Sequence, residues 1–402
     1  MRRVAIVGAS VAGVSAARAL RELGMDGDIV MVGAEPHRPY DRPPLSKELL
    51  LGTSEPAQIA LLDEADDGLG LTWRLGCRAR RLLPAERALE LDDGERLVVD
   101  GLVVATGSMP RMLPSLLAPS GTLPAGVQVL RTLEDALALR DALRRGLPVA
   151  VVGAGFIGLE VASAARAAGV EVTIVDVAPW PLLGVLGPTV GEAVAGWHSD
   201  HGVALRLGRG VAGVRTSGSG VEALELDDGS SVPAGLVVVG VGVRPATDWL
   251  GSSGLDLADG VACDAVGRST LAEVVAVGDV AAWSDPVDGR RRREEHWTAA
   301  FERPATAVAA LLGGRPTPPA DVPYFWSDQH GARWQLAGRP GPGDRLEVVE
   351  GVLGQPGSLV RWSDGAETTA VLAFESARPF VRARRDLLAV RRARLEALGV
   401  GE

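Results

Sequence analysis

Twice along the chain, a short β-branched run ends in a glycine-rich turn and passes into an alanine-rich helical stretch. Each then returns as a strand followed by an acidic residue. In the first copy, Val4 to Val7 leads into Gly8-Ala9-Ser10-Val11-Ala12-Gly13, a helix is expected to about Leu23, and strand Ile29 to Val32 precedes Glu35. In the second, Val149 to Val152 leads into Gly153-Ala154-Gly155-Phe156-Ile157-Gly158, with a helix to about Ala168 and strand Glu171 to Val175 delivering Asp176. The acid follows the last glycine by 22 residues in the first copy and 18 in the second. This is the order of a dinucleotide-binding unit. Its glycines let backbone approach a pyrophosphate, the helix N-terminus stabilises the charge, and the acid holds a ribose diol. Only the second copy matches GxGxxG in full, because Ser10 replaces the middle glycine of the first.

A second echo points to duplication. Leu91-Asp92-Asp93-Gly94 and the strand Gly101 to Gly107, containing Ala105 and Thr106, recur as Leu226-Asp227-Asp228-Gly229 and Gly235 to Gly242. Each block reads as a hairpin followed by an apolar strand ending in small residues, where backbone can approach a ligand at the carboxyl ends of parallel strands. Two such units imply two nucleotides held face to face. Further on, Val274 to Asp279 reads as a buried strand ending in Gly-Asp, and Gly313 to Pro319 as a linker. Tyr324 to about Val381 alternates strand-like runs with turns, and an amphipathic helix is expected from about Phe380 to Leu398. The expected fold is therefore α/β: two doubly wound Rossmann-like domains and a C-terminal α+β domain. Residues 1–112 and 243–319 form the first unit, 113–242 the inserted second, and 320–402 the third.

Composition removes other chemistries. A net charge of −10 weighs against a nucleic-acid binder needing a broad cationic surface. Two distant cysteines, Cys77 and Cys263, give neither a disulfide framework nor a dithiol centre, and five scattered histidines show no metal spacing. Met1-Arg2-Arg3 and the apolar run after it imitate a signal peptide. Gly8, Gly13, Arg18, Arg21 and Glu22 break that pattern, and no stretch offers the roughly 18 apolar residues of a membrane span. A cytoplasmic chain is expected. Of 41 basic residues only Lys47 is lysine, and Asn is absent, the mark of a GC-rich coding bias. A lysine surviving that bias is a candidate for a task arginine cannot perform.

With both glycine motifs, Ala105-Thr106-Gly107 and Gly278-Asp279 in order, the chain resembles the two-dinucleotide flavoprotein oxidoreductases. Pro39-Tyr-Asp-Arg-Pro-Pro-Leu-Ser-Lys47 and Tyr324-Phe-Trp-Ser-Asp-Gln329 narrow the resemblance to the ferredoxin/rubredoxin/putidaredoxin reductase family. Gly158-Leu-Glu160, Arg131-Thr132 and Glu295-His-Trp297 also fall where that family would place them, and the likeness runs essentially end to end. Trp180 departs from it, standing where a basic residue often follows the nucleotide-binding acid.

The resemblance implies non-covalent FAD at Gly8, Ala12, Gly13, Glu35, Arg42, Lys47, Ala79, Ala105, Thr106, Gly107, Arg131, Asp279 and Trp297. It implies NADH as co-substrate at Gly153, Gly155, Phe156, Ile157, Gly158, Glu160, Asp176 and Gly242. Lys47 and Glu160 are the expected catalytic pair: an ammonium near flavin N5 orienting a carboxylate that holds the nicotinamide carboxamide. The plainer alternative is an exposed ion pair worth about 0–1 kcal/mol. The implied activity is NADH:ferredoxin reduction feeding a P450 or Rieske-type oxygenase, by a monomer or weak dimer without metal. Rubredoxin is an alternative acceptor, and a redox-linked interaction protein with little turnover is an alternative of another class. A flavin disulfide reductase would need a cysteine within Pro43 to Leu51, where none occurs. Docking of a small acidic ferredoxin is expected on Arg290 to Arg293 or on the terminal segment. The latter sets Arg378, Arg382, Arg384, Arg385, Arg391, Arg392 and Arg394 against Asp386, Glu396 and Glu402.

Overall fold

The computed structural model describes residues 1–400 apart from Ser219; Glu402 lies outside the described residues. Along the chain, β1 (Arg3–Val7), α1 (Val11–Glu22), β2 (Asp28–Gly33), β3 (Leu71–Leu75) and β4 (Gly101–Val104) build the first unit. The second contains β5 (Val127–Val129), β6 (Val149–Val152), α2 (Phe156–Ala167), β7 (Val172–Asp176), α3 (Leu183–Asp200), β8 (Ala204–Leu207) and β9 (Leu236–Val239). Then come β10 (Val274–Ala276), α4 (Trp297–Leu311), β11 (Tyr324–Gln329), β12 (Ala332–Gly338), β13 (Arg345–Glu350), β14 (Ser358–Ser363), β15 (Thr368–Phe374) and α5 (Ala377–Ala397).

The first sheet is parallel in the order β10-β4-β1-β2-β3, and the second is parallel in the order β5-β9-β6-β7-β8. Position for position these are the same sheet. They differ in the origin of one edge: β10 enters the first sheet after the second unit is complete, whereas β5 precedes the rest of its own. The central strands are apolar on both faces because helices or hairpins cover both, as parallel sheets require. The connectors Ser108–Pro110 and Val243–Pro245 pair antiparallel where the chain passes between units.

The C-terminal sheet is antiparallel, β11-β12-β15-β14-β13, with α5 packed against it. Its inward face, including Trp334, Trp362 and Phe374, joins the core of the second unit rather than forming a separate one. α5 begins at Ala377, three residues before the expected start. No helix among the described residues is long and apolar enough to cross a membrane.

Candidate functional site

Both glycine turns are shaped by close backbone contact. Gly8 has φ +122°, and a Cβ there would lie 2.1 Å from the Ala105 carbonyl oxygen. At Gly13 it would lie 2.2 Å from the carbonyl oxygen of Gly8. The second unit repeats both contacts, Gly153 against Gly240 at 2.3 Å and Gly158 against Gly153 at 2.1 Å. Gly155 differs: a Cβ would meet nothing within 4 Å, so this glycine leaves open space above the N-terminus of α2. Ser10 has a local task where the pattern would have glycine. It caps α1, its Oγ accepting from the Gly13 amide at 3.4 Å and donating to the Ala105 carbonyl at 3.3 Å.

In the first unit, four of the expected residues converge beyond the strand ends. Arg42 donates to Glu35 at 2.7 Å and to the Arg131 carbonyl at 2.5 Å, and the Tyr40 hydroxyl donates to the other Glu35 oxygen. The Arg131 guanidinium stands 3.6 Å from Asp279, which accepts from Ser108 at 2.9 Å. Burial, and then the neighbouring Arg42 charge, push Arg131 below its ordinary range. The cleft thus holds two guanidiniums beside two carboxylates, and the planar forks of Arg42 and Arg131 are donors of the geometry that suits a phosphate. Ala12 lines the same turn, its methyl 3.1 Å from where a Gly278 Cβ would stand, and Gly107 lies beside Arg131.

Trp297 opens α4 and donates from Nε1 to Asp41 at 2.7 Å, and burial pushes the Asp41 carboxyl up. Two expected residues lie apart from the cluster by side chain. The Thr106 hydroxyl donates to the Ala246 carbonyl at 2.9 Å, and the Ala79 methyl packs on the first core.

In the second unit Asp176 accepts from the Ala154 amide at 2.6 Å and from the Ala178 amide at 2.7 Å, tying the glycine turn to the end of β7. Phe156 meets Phe325 of β11 edge-on at 4.3 Å, while Ile157 is exposed on the first turn of α2. Gly242 has φ +93°, and its carbonyl accepts from the Arg111 amide at 2.9 Å. Trp180 lies against Gly191 of α3.

Lys47 and Glu160 come together from different units. Lys47 Nζ is 2.7 Å from Glu160 Oε2, with side chains 10% and 3% exposed. The exposed-pair alternative is thereby excluded. Glu160 also accepts from Ser46 at 2.5 Å on Oε2 and from Ser327 of β11 at 2.6 Å on Oε1. Sequence reasoning assigned no role to Tyr40, Asp41, Ser46, Ser108 or Ser327. One signal was present for Ser327 and Gln329: polar residues two apart on a strand share a face with Phe325, and a polar residue facing the core requires a partner.

Neither cysteine is placed for redox work. Both are free and buried, and burial pushes Cys77 up to about 11 and Cys263 up to about 12. Among the described residues no cluster could hold a metal.

Two glycine cradles, an arginine-lined cleft and a buried Lys–Glu pair joining the two units define a two-dinucleotide oxidoreductase. The chain belongs to the pyridine nucleotide-disulphide oxidoreductase family, whose model matches residues 2–307, and a reductase C-terminal model matches 324–399. It is 37% identical over 385 residues to the benzene 1,2-dioxygenase system ferredoxin–NAD(+) reductase subunit of Pseudomonas putida, covering 95% of this chain and 91% of that one. To the rhodocoxin reductase of Rhodococcus erythropolis it is 35% identical, covering 87% and 80%. The covalent putidaredoxin reductase–putidaredoxin complex superposes with a TM-score of 0.91 at 32% identity, covering 96% of this chain and 93% of that one.

Proposed function

We propose that this chain is a cytoplasmic NADH-dependent ferredoxin reductase serving an oxygenase, with FAD in the first unit and NADH on the second. The observation that carries the reading is the buried Lys47–Glu160 pair, placed between the two nucleotide units where a disulfide reductase would need cysteine. When bound, FAD accepts a hydride from NADH and releases electrons singly.

The chain's own residues bind and orient. Arg42 and Arg131 neutralise the FAD pyrophosphate, with Glu35 on the ribose and Asp279 on the ribityl hydroxyls. The turn at Gly153, Gly155 and Gly158 takes the NADH pyrophosphate, and Asp176 the adenosine ribose. Lys47 places a fixed positive charge against the flavin, and Glu160 accepts from the carboxamide of the nicotinamide.

The acceptor is a small acidic iron–sulfur protein. An aromatic series supports its docking near α5. Phe380 of that helix lies 5.7 Å from Tyr324, Tyr324 stacks on Trp326 at 6.1 Å, and Trp326 meets Trp297 edge-on at 6.3 Å.

Purified protein tests the cofactor assignment. It should be yellow, with one FAD per chain released intact on denaturation. A preparation that stays colourless after incubation with FAD would end the reading.

A further inference from the structure

Beyond Ser327 the hydrogen bonds continue into the protein. Gln329 Nε2 donates to Ser327 Oγ at 2.9 Å, His198 Nε2 meets Gln329 Oε1 at 2.8 Å, and His330 Nε2 meets His198 Nδ1 at 3.1 Å. Ser327 and His198 are fully buried and Gln329 is 1% exposed. The series crosses from the second unit to the C-terminal domain and back, since Glu160 and His198 belong to α2 and α3.

Its direction is forced. A carboxylate paired with Lys47 only accepts, so the Ser327 proton points at Glu160 and Ser327 Oγ must accept in turn. The Gln329 amide fills that position, which turns its carbonyl toward His198. His198 therefore carries its proton on Nε2, its Nδ1 is an acceptor, and His330 donates from Nε2. The surroundings keep His198 neutral. The His201 ring stacks on His330 at 4.4 Å, the Arg166 guanidinium bonds the Val170 and His201 carbonyls, and no acid bonds either imidazole among the described residues.

His330 occupies a costly position. It and Gly331 form the two-residue β11–β12 turn with φ +52° and +74°, a turn for which Asn-Gly is the usual choice. The left-handed backbone places its ring on His198, and its amide donates to Ser163 of α2 at 2.6 Å.

A carboxylate offers about four lone-pair positions. Ser46 and Lys47 occupy both on Oε2, and Ser327 takes one on Oε1. We infer that Ser327, Gln329, His198 and His330 are positioning residues, a one-way hydrogen-bond chain that fixes where the last free acceptor position of Glu160 points. The inference rests on Glu160 as the acceptor for the nicotinamide carboxamide. It makes the C-terminal domain part of nicotinamide nucleotide recognition.

The test uses the FAD-loaded protein and titrates NAD+ by calorimetry. Gln329→Glu keeps the size of the side chain and its bond to His198 but withdraws the donor to Ser327, freeing the Ser327 hydroxyl to turn away from Glu160. Both it and Ser327→Ala should weaken NAD+ binding about tenfold, the lower range for one hydrogen bond to a charged group. Both should retain FAD, and KM for NADH should rise more than kcat falls.

Unchanged NAD+ affinity in both folded variants, with Glu160→Gln weakened, overturns the chain and leaves the role of Glu160 standing. Unchanged affinity in Glu160→Gln overturns both. Should the variants fail to fold, nitrogen-15 spectra of the wild-type imidazoles decide. Neutral Nε2–H forms for His198 and His330 at pH 6 support the chain, and an Nδ1–H form for His198 overturns it.

Discussion

Lys47 Nζ and Glu160 Oε2 stand 2.7 Å apart, joining a segment of the first unit to a helix of the second, with both side chains buried. A buried ion pair is expensive to break from one side, because the surviving charge has left water without its partner. Lys47→Ala should therefore slow flavin reduction by NADH and also destabilise the fold by about 3–5 kcal/mol. The paired change Lys47→Met with Glu160→Gln should recover much of that stability but not the rate. Urea melts of the three proteins check this, and a single variant as stable as wild type would refute the energetic part.

Acid should loosen the protein before its carboxylates titrate. Burial holds His198 down at about 4 and His330 down at about 3. An unfolded chain protonates both near the ordinary histidine value of about 6.5. Unfolded protein then binds more protons than folded protein below that pH. Stability is complete above about 6.5 and falls as pH drops toward the folded values, by up to about 3 kcal/mol for His198. The opposite charge type gives a lower window: hydrogen bonds from Arg292 hold Asp288 down at about 2, and its contribution is lost only below the ordinary Asp range. Denaturant midpoints from pH 7 to 4.5 should decline, and His198→Asn should flatten the slope. A midpoint independent of pH over that range would contradict the burial of these rings.

NADH should be preferred to NADPH. Asp176 sits at the end of β7 with both oxygens already turned to backbone amides, and Val177, Ala178 and Pro179 follow without a basic residue. A ribose diol can share those oxygens, whereas a 2′-phosphate meets a fixed negative charge. Replacing Asp176 by Ser should narrow the preference in kcat/KM. A wild-type preference for NADPH would place the ribose elsewhere.

The two arginine clusters separate on their partners. Of Arg290 to Arg293, the last three are engaged by Asp256, Asp288 and Asp259 at 2.5–2.9 Å, which leaves Arg290 as the exposed member without an ion-pair partner among the described residues. On α5, Arg391 pairs with Asp285 and Arg394 with Glu367, but Arg378, Arg382 and Arg392 are exposed without an ion-pair partner among the described residues. Reversing those three to Glu should slow ferredoxin reduction at low salt, where steering raises encounter rates on the order of 10–10³-fold. Reversing Arg291 should have little effect. Equal loss from both would move the docking face.

Much of this was legible in the chain because the glycine turns carry their own geometry. The duplicated strand–turn–helix–acid order, the paired LDDG hairpins and the apolar strands between them specify two parallel sheets before any contact is known. The ion partners of the arginines were not legible, since Asp256 and Asp259 lie more than 30 residues before Arg291 and Arg293 and meet them only through the fold. Nor was the burial of Lys47, whose partner Glu160 comes from a helix 113 residues further along the chain. Ser10 broke the glycine pattern for a reason visible only in place: it caps the helix it begins.

The central claim is electron delivery from NADH to an iron–sulfur protein. Its most direct test is anaerobic mixing of the yellow protein with NADH and a small [2Fe–2S] ferredoxin, followed by visible absorbance. Two ferredoxins should be reduced for each NADH consumed, at a rate that falls with added salt. Flavin that is bleached by NADH but leaves every ferredoxin oxidised would contradict the account.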